Sequence, residues 1–300
     1  MRDTLPRLLF VGVVVLVVCA PARAVLAEKS NQIRPTPSPL TTTGIEPDSL
    51  LLTPRLVLTR YADELTIEGL PGHTQSYAIT SIGAGVQAQL GVADWLALEV
   101  GVEGYQKLGS ITGPSPGDPT RLAEADITGN AVKLSVQGHV RVLNLADPAA
   151  VAADPGDVAL YVFFRGIGDA FVQEQVDPLF RTDFAEYAFE YRAGGAAQVH
   201  VGAGLYLVGF GGVDGVWFTG TKTDTRKGDV AKETALSGAE DPFPFVGGDV
   251  LWSRAPNGRS VHDAVSLGAI LAFTPEDPLS GFGGPQWTID LSYTLRIKVD

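Results

Sequence analysis

Cysteine is nearly absent from this 300-residue chain: the one present is Cys19, inside an apolar run near the N-terminus. Arg2 and Arg7 precede that run, Leu8 to Ala20, and the small-residue steps Ala22-Arg23-Ala24 and Val25-Leu26-Ala27 follow it. A basic flank, a short apolar core and a small-residue exit define a secretory leader, expected at residues 1–27. The run falls short of the roughly 20 apolar residues of a spanning helix. Val18 before Cys19 and Pro21-Ala22 after it are wrong for a lipidated cysteine. The exported remainder then has no disulfide framework. A large core or a closed hydrogen-bonded sheet must hold it together.

Basic residues are also scarce. Removing Arg2, Arg7, Arg23 and Asp3 with the leader leaves 19 basic against 33 acidic side chains. Such a surface excludes nucleic acid as a partner, because phosphate binding needs basic stripes. The four histidines, His73, His139, His200 and His262, form no metal-type spacing, so no metal or cofactor is expected. The glycines of Gly209-Phe-Gly-Gly-Val-Asp-Gly215 lack the following helix that would hold a pyrophosphate.

Residues 28–53 are rich in Pro, Thr and Ser and read as an extended linker. From 54 onward no helical period persists, and apolar residues recur at every second position. Val132, Leu134, Val136, Val140 and Val142 alternate with Lys133, Ser135, Gln137, His139 and Arg141. Trp287, Ile289, Leu291, Tyr293, Leu295 and Ile297 alternate with Thr288, Asp290, Ser292, Thr294, Arg296 and Lys298. Leu96, Leu98, Val100 and Val102 stand against Ala97, Glu99, Gly101 and Glu103. These runs exceed the 5–6 residues of common soluble strands and suit strands that cross a bilayer. Small residues such as Gly83, Gly85, Gly194 and Ala196 fall on the polar faces, as a narrow lumen requires. Aromatics gather near strand ends: Tyr187, Phe189, Tyr191, Trp95, Trp217, Trp252 and Trp287. Residues 81–105 and 192–216 share a glycine spacing that marks a common hairpin.

The stretch Gln87 to Val100 resembles the strand–turn–strand repeats of Gram-negative outer-membrane β-barrel proteins, and Trp287 to Val299 resembles their closing strand. The chain departs from that family in ending on Ile297-Lys298-Val299-Asp300 rather than an aromatic residue. The resemblance implies an all-β fold, an antiparallel transmembrane β-barrel over 54–300, of the kind found in small porin-like barrels. It also implies residence in the outer membrane, contact with its lipid and lipopolysaccharide, and insertion by the barrel-assembly machinery.

With both barrel ends on the periplasmic side, the strand number is even. The expected strands are 54–68, 76–90, 95–107, 128–143, 158–172, 186–201, 205–218, 243–254, 262–273 and 286–298. Ten is the expected number, with eight or twelve as alternatives. Tight turns at 91–94 and 202–204 and the reversal at Pro256-Asn257-Gly258 face the periplasm. Exterior loops are expected at 69–75, 108–127, 173–185, 219–242 and 274–285.

Such a barrel is narrow. Its expected lumen carries Glu99, Glu103, Lys133, His139, Arg141, Arg165, Glu190, Arg192, His200, Asp290, Arg296 and Lys298. Buried charges must pair or meet water. One reading is a salt-bridged plug in a structural barrel. Another is a passive small-solute channel, with Glu99/Glu103 and Lys133/Arg141 as opposite walls that screen solutes by charge. A non-enzymatic role is expected, with no catalytic residues. An alternative is an outer-membrane hydrolase acting on lipid or peptide at the outer rim, for which only His73 to Ser76 and His262-Asp263 offer residues. A further alternative is a soluble periplasmic all-β binding protein, in which a second sheet covers the Val132 to Val142 face. The mixed-charge segment 219–242, with Lys222, Arg226, Lys227 and Lys232, reads as a solvated loop or as a contact for lipid phosphates.

Overall fold

The computed structural model describes residues 49–66, 74–115, 118–145, 155–176, 180–226, 232–254, 263–274 and 284–297. The leader, Cys19, most of the linker, His73, His262, the Pro256-Asn257-Gly258 reversal and Lys298 lie outside these residues.

Every described strand is antiparallel to its neighbours, and the ten form one closed barrel. In chain order they are β1 (Leu50–Thr66), β2 (Thr74–Ala93), β3 (Leu96–Ser115), β4 (Asp118–Asn144) and β5 (Val158–Val176). The second half contains β6 (Phe180–Gly202), β7 (Leu205–Arg226), β8 (Lys232–Ser253), β9 (Ala264–Thr274) and β10 (Gly284–Ile297). Sequential strands pair around the wall, and β1 meets β10 to close it. Each of the ten expected strands is present, the weakly alternating first one included. That strand begins at Leu50, four residues before the expected linker boundary of 54.

The period-two pattern maps onto two surfaces. Outward residues are apolar and exposed: Leu56, Leu58, Ile82, Val86, Val100, Val132, Leu134, Val136, Leu267, Ile289 and Leu291 are all at least 40% accessible. On β10 this outward row runs from Trp287 to Ile297. About eleven residues of tilted strand give a belt ~25 Å tall, the height of a bilayer's apolar layer. Exposed Tyr187, Phe189, Trp217, Phe273 and Trp287 border one edge of the belt, and Trp252 stands near the other. Val140 departs from the pattern: it is buried beside a register shift between Arg141 and Leu143.

The expected exterior loops at 108–127, 173–185 and 219–242 are instead mostly strand. β4 runs for 27 residues and β6 for 23, well beyond the belt. The reason lies in these segments' composition. Thr219, Thr221, Thr223 and Thr225 alternate along β7 as β-branched residues that suit a pleated surface even with polar side chains. Past the belt, outward positions turn polar, as at Arg60, Gln106, Thr128 and Glu174, because that side of the wall meets water. The wall is uneven, since β9 has 11 residues and β10 has 14. Pro242 and Pro244 fall on β8 past Phe245, where its pairing with β9 has ended and β8 has a neighbour only on the β7 side.

The short-turn end uses tight geometry. Gly202, Ala203 and Gly204 all have positive φ, which turns β6 into β7 within two residues. Elsewhere glycine makes room across strands. Tyr105 lies over its partner Gly83, Glu103 over Gly85, Phe210 over Gly247 and Phe163 over Gly194. A Cβ at any of these glycines would run into the side chain above it.

These contacts predict that Gly83→Val and Gly247→Val each destabilise the folded barrel by about 1–3 kcal/mol through overpacking. Gly104→Ala, which faces open space, should stay within about 0.5 kcal/mol of the parent. Urea unfolding midpoints in detergent measure all three, and equal midpoints would remove the steric argument.

Candidate functional site: an ion-paired lumen

Alternation sends one face of each strand into the lumen, so charges there sit in fixed rows. One row across the sheet reads Arg55, Gly85, Glu103, Lys133, Asp169, and its signs alternate. Gly85 between Arg55 and Glu103 lets the guanidinium cross β2. Arg55 Nη1 stands 3.4 Å from Glu103, and its Nη2 donates to Asp290 Oδ2 at 2.7 Å. Lys133 Nζ donates to Glu190 Oε1 at 2.7 Å and stands 3.8 Å from Asp169. Tyr105 donates its hydroxyl proton to Glu103 at 2.5 Å.

Two inward rows further along, the sheet reads Gln89, Glu99, Gln137, Arg165, Arg192, Asp214. Arg165 and Arg192 are directly opposed like charges, and each is drawn aside. Arg165 Nη2 donates to Ser135 at 2.8 Å and lies 3.8 Å from Glu103. Arg192 grips Asp214 with two bonds, Nε to Oδ1 at 2.6 Å and Nη2 to Oδ2 at 2.8 Å, while its guanidinium packs over Phe245. The fork matches the carboxylate, so this pair is the best-formed of the set.

Apolar side chains fill what the charges leave. Tyr161, Phe163, Phe210, Phe243, Phe245, Leu251 and Ile270 form one buried cluster. Tyr61, Tyr77, Ile79 and Ile127 form another. Lys107 is buried over the Phe171 ring, 3.7 Å from its centroid.

Among the expected lumen residues, Glu99, Glu103, Lys133, His139, Arg165, Glu190, Arg192, His200 and Asp290 are all buried. Arg141 and Arg296 are half-buried near the short-turn end, and Arg141 donates to the Asp94 carbonyl. His139 Nε2 lies 3.4 Å from Glu99, and His200 stacks on Tyr206. The acidic and basic walls expected to oppose one another do not: Glu103 and Lys133 are adjacent partners on β3 and β4. Consecutive strands of this barrel are hydrogen-bonded neighbours, so the two walls lie side by side.

Six lumen charges escaped the sequence reading: Arg55, Lys107, Asp169, Glu186, Asp214 and Asp249. Arg55 sits on the strand with the poorest alternation. Asp169 shares an inward face with Phe163, Ile167 and Phe171, so that face did not look polar. Asp214 shares an inward face with Phe210, Val216 and Phe218, so that face did not look polar either, and the strand opposite it, β8, changes parity at the register shift beyond Phe243. Only the pairing register, which composition does not display, would have revealed them.

Among the described residues no group of three His, Cys, Asp or Glu side chains is placed to hold a metal ion. The hydrolase candidates each include a histidine, His73 or His262, outside the described residues.

The fold and lumen define a class: a narrow, closed, ten-stranded antiparallel barrel with an apolar outer belt and an ion-paired interior. No protein-family model and no curated protein sequence matches the chain. Among solved structures it is similar to the transport unit of the autotransporter AIDA-I from Escherichia coli, at 6% identity and a TM-score of 0.33, covering 83% of this chain and 90% of that one. It is also similar to the translocator domain of autotransporter NalP from Neisseria meningitidis, at 9% identity and a TM-score of 0.33, covering 85% and 90%. At that level the likeness bears on neither strand alignment nor function.

Arg192→Ala leaves Asp214 buried without its fork and should cost about 3–5 kcal/mol. Replacing both partners with Met and Leu should recover most of that loss. Unfolding midpoints of the single and double variants check the pair; additive losses would show that the two side chains act independently.

Proposed function

We propose that this protein is a non-enzymatic resident of the Gram-negative outer membrane, a structural barrel with a plugged lumen rather than an open solute channel. The outer belt supports membrane residence: exposed leucines, valines and isoleucines on this scale need lipid around them. A soluble periplasmic barrel would need a second sheet over Val132, Leu134 and Val136, which are more than half exposed. The single observation that carries the plugged reading is the burial of Arg55, Lys133, Arg165 and Arg192, at 3% accessibility or less, each reaching a carboxylate one or two strands along the lumen wall. A water-filled pore would leave such groups hydrated. Here they are paired, as charges removed from water must be.

Export by the leader and insertion by the barrel-assembly machinery belong to the same proposal. The short-turn end then faces the periplasm, and the long hairpins of β3–β8 stand above the outer leaflet.

Two measurements test it together. Cell fractionation should place the chain in the outer membrane with a band that shifts mobility on boiling; soluble periplasmic release without a shift would overturn residence. In planar bilayers the purified protein should show no steady conductance. A stable ohmic pore would overturn the plug and favour the channel.

A further inference from the structure

Above the belt, the outer face of β4–β7 carries a polar hollow with a volume of about 340 Å³. Its shape follows from two adjacent rows of the sheet. The lower row is Asn130, Val172, Ala185, Thr221, and the upper row is Thr128, Glu174, Asp183, Thr223. All eight alternate with lumen-facing neighbours and so point outward. The small side chain of Ala185, beside Val172, makes the floor, while hydroxyls, an amide and two carboxylates form the rim.

Two features give the hollow its character. Glu174 and Asp183 stand directly opposite each other on β5 and β6, an arrangement of like charges that destabilises a sheet. Arg181 holds both, with Nη1 3.3 Å from Glu174 and Nε 3.0 Å from Asp183, while remaining 54% exposed. The row beneath the floor is Val132, Ala170, Tyr187, Thr219, and Tyr187 projects from it at 67% exposure. One row lower, Phe189 and Trp217 stack at 5.7 Å and enter the aromatic border of the belt. The hollow therefore begins where lipid contact ends, with an aromatic ring as its lower lip.

We infer that this hollow binds a sugar unit of an outer-leaflet glycolipid. A sugar ring offers hydroxyl donors to the paired carboxylates and donor–acceptor groups to the threonines and Asn130. Its apolar face suits the exposed Tyr187 ring, since aromatic side chains combine contact area with a polar tip. The volume lies within the range of small-molecule sites. Arg181 adds a cation at the upper edge, beside the carboxylates, for an anionic substituent. The inference rests on the membrane reading above, because only a chain in that leaflet brings the hollow level with lipid headgroups.

The test uses the folded full chain in detergent, titrated with purified lipopolysaccharide and, separately, with the core oligosaccharide cleaved from it. Both should bind saturably, the oligosaccharide more weakly. Tyr187→Ala, and Glu174→Gln combined with Asp183→Asn, should each weaken binding at least tenfold. The amide pair also relieves the like-charge opposition, so its loss of binding would not reflect unfolding. Ile289→Ala, on the belt's other side, should stay within twofold. Unchanged affinity in the groove variants, or binding of the lipid portion without the oligosaccharide, would overturn the inference. Failure of the membrane reading would appear separately, as a parent protein with no heat-modifiable band.

Discussion

Ten strands of unequal length become one barrel only if the first and last pair, and that seam is held from the lumen side. β1 meets β10 from Leu50↔Ile297 to Arg60↔Trp287. At alternate inward positions three side-chain pairs bridge it: Thr53 with Thr294, Arg55 with Asp290, and Thr59 with Thr288. The β1–β10 register skips Thr53 and Pro54, and the proline has no N–H to give a ladder there. Closure matters because an open edge would leave a row of backbone donors and acceptors unpaired.

Closure then dictates the interior. A ten-stranded cylinder is too narrow to hold bulk water beside large side chains, so every charge that alternation sends inward needs a partner within one or two strands. Glycines at Gly83, Gly85, Gly194 and Gly247 provide the room, and the side chains laid over them provide the contacts. The same seam arginine that joins β10 to β1 reaches past Gly85 to Glu103, which ties closure to the rest of the network. The proposed structural role rests on this packing, in which ion pairs and rings occupy the lumen side of the wall.

Strand existence was legible in the sequence because period-two alternation is a direct image of a wall between two media. Even the weak first strand followed, from the parity rule rather than from its own residues. Strand length was not legible beyond the belt. Alternation of apolar with polar residues fades beyond the belt, so the charged extension of β6 and the threonine-rich extension of β7 looked like loops. The lumen roster was partly legible: Glu99, Lys133 and Arg192 stood out against apolar neighbours, while Asp169 hid among inward aromatics. The pairing of Glu103 with Lys133 required the register, and the outer hollow required four strands to be aligned side by side. Neither leaves a trace in any one segment.

The seam itself can be tested directly through the scarcity of cysteine. With Cys19→Ser as background, the pair Thr59→Cys and Thr288→Cys places two thiols at directly opposed positions, within the span a disulfide needs. Mild oxidation followed by denaturing gel electrophoresis should give a crosslinked band of altered mobility, while Thr59→Cys with Ser292→Cys, offset by four residues, should give none. Absence of the first crosslink, or equal formation of both, would contradict a barrel closed between β1 and β10 in this register.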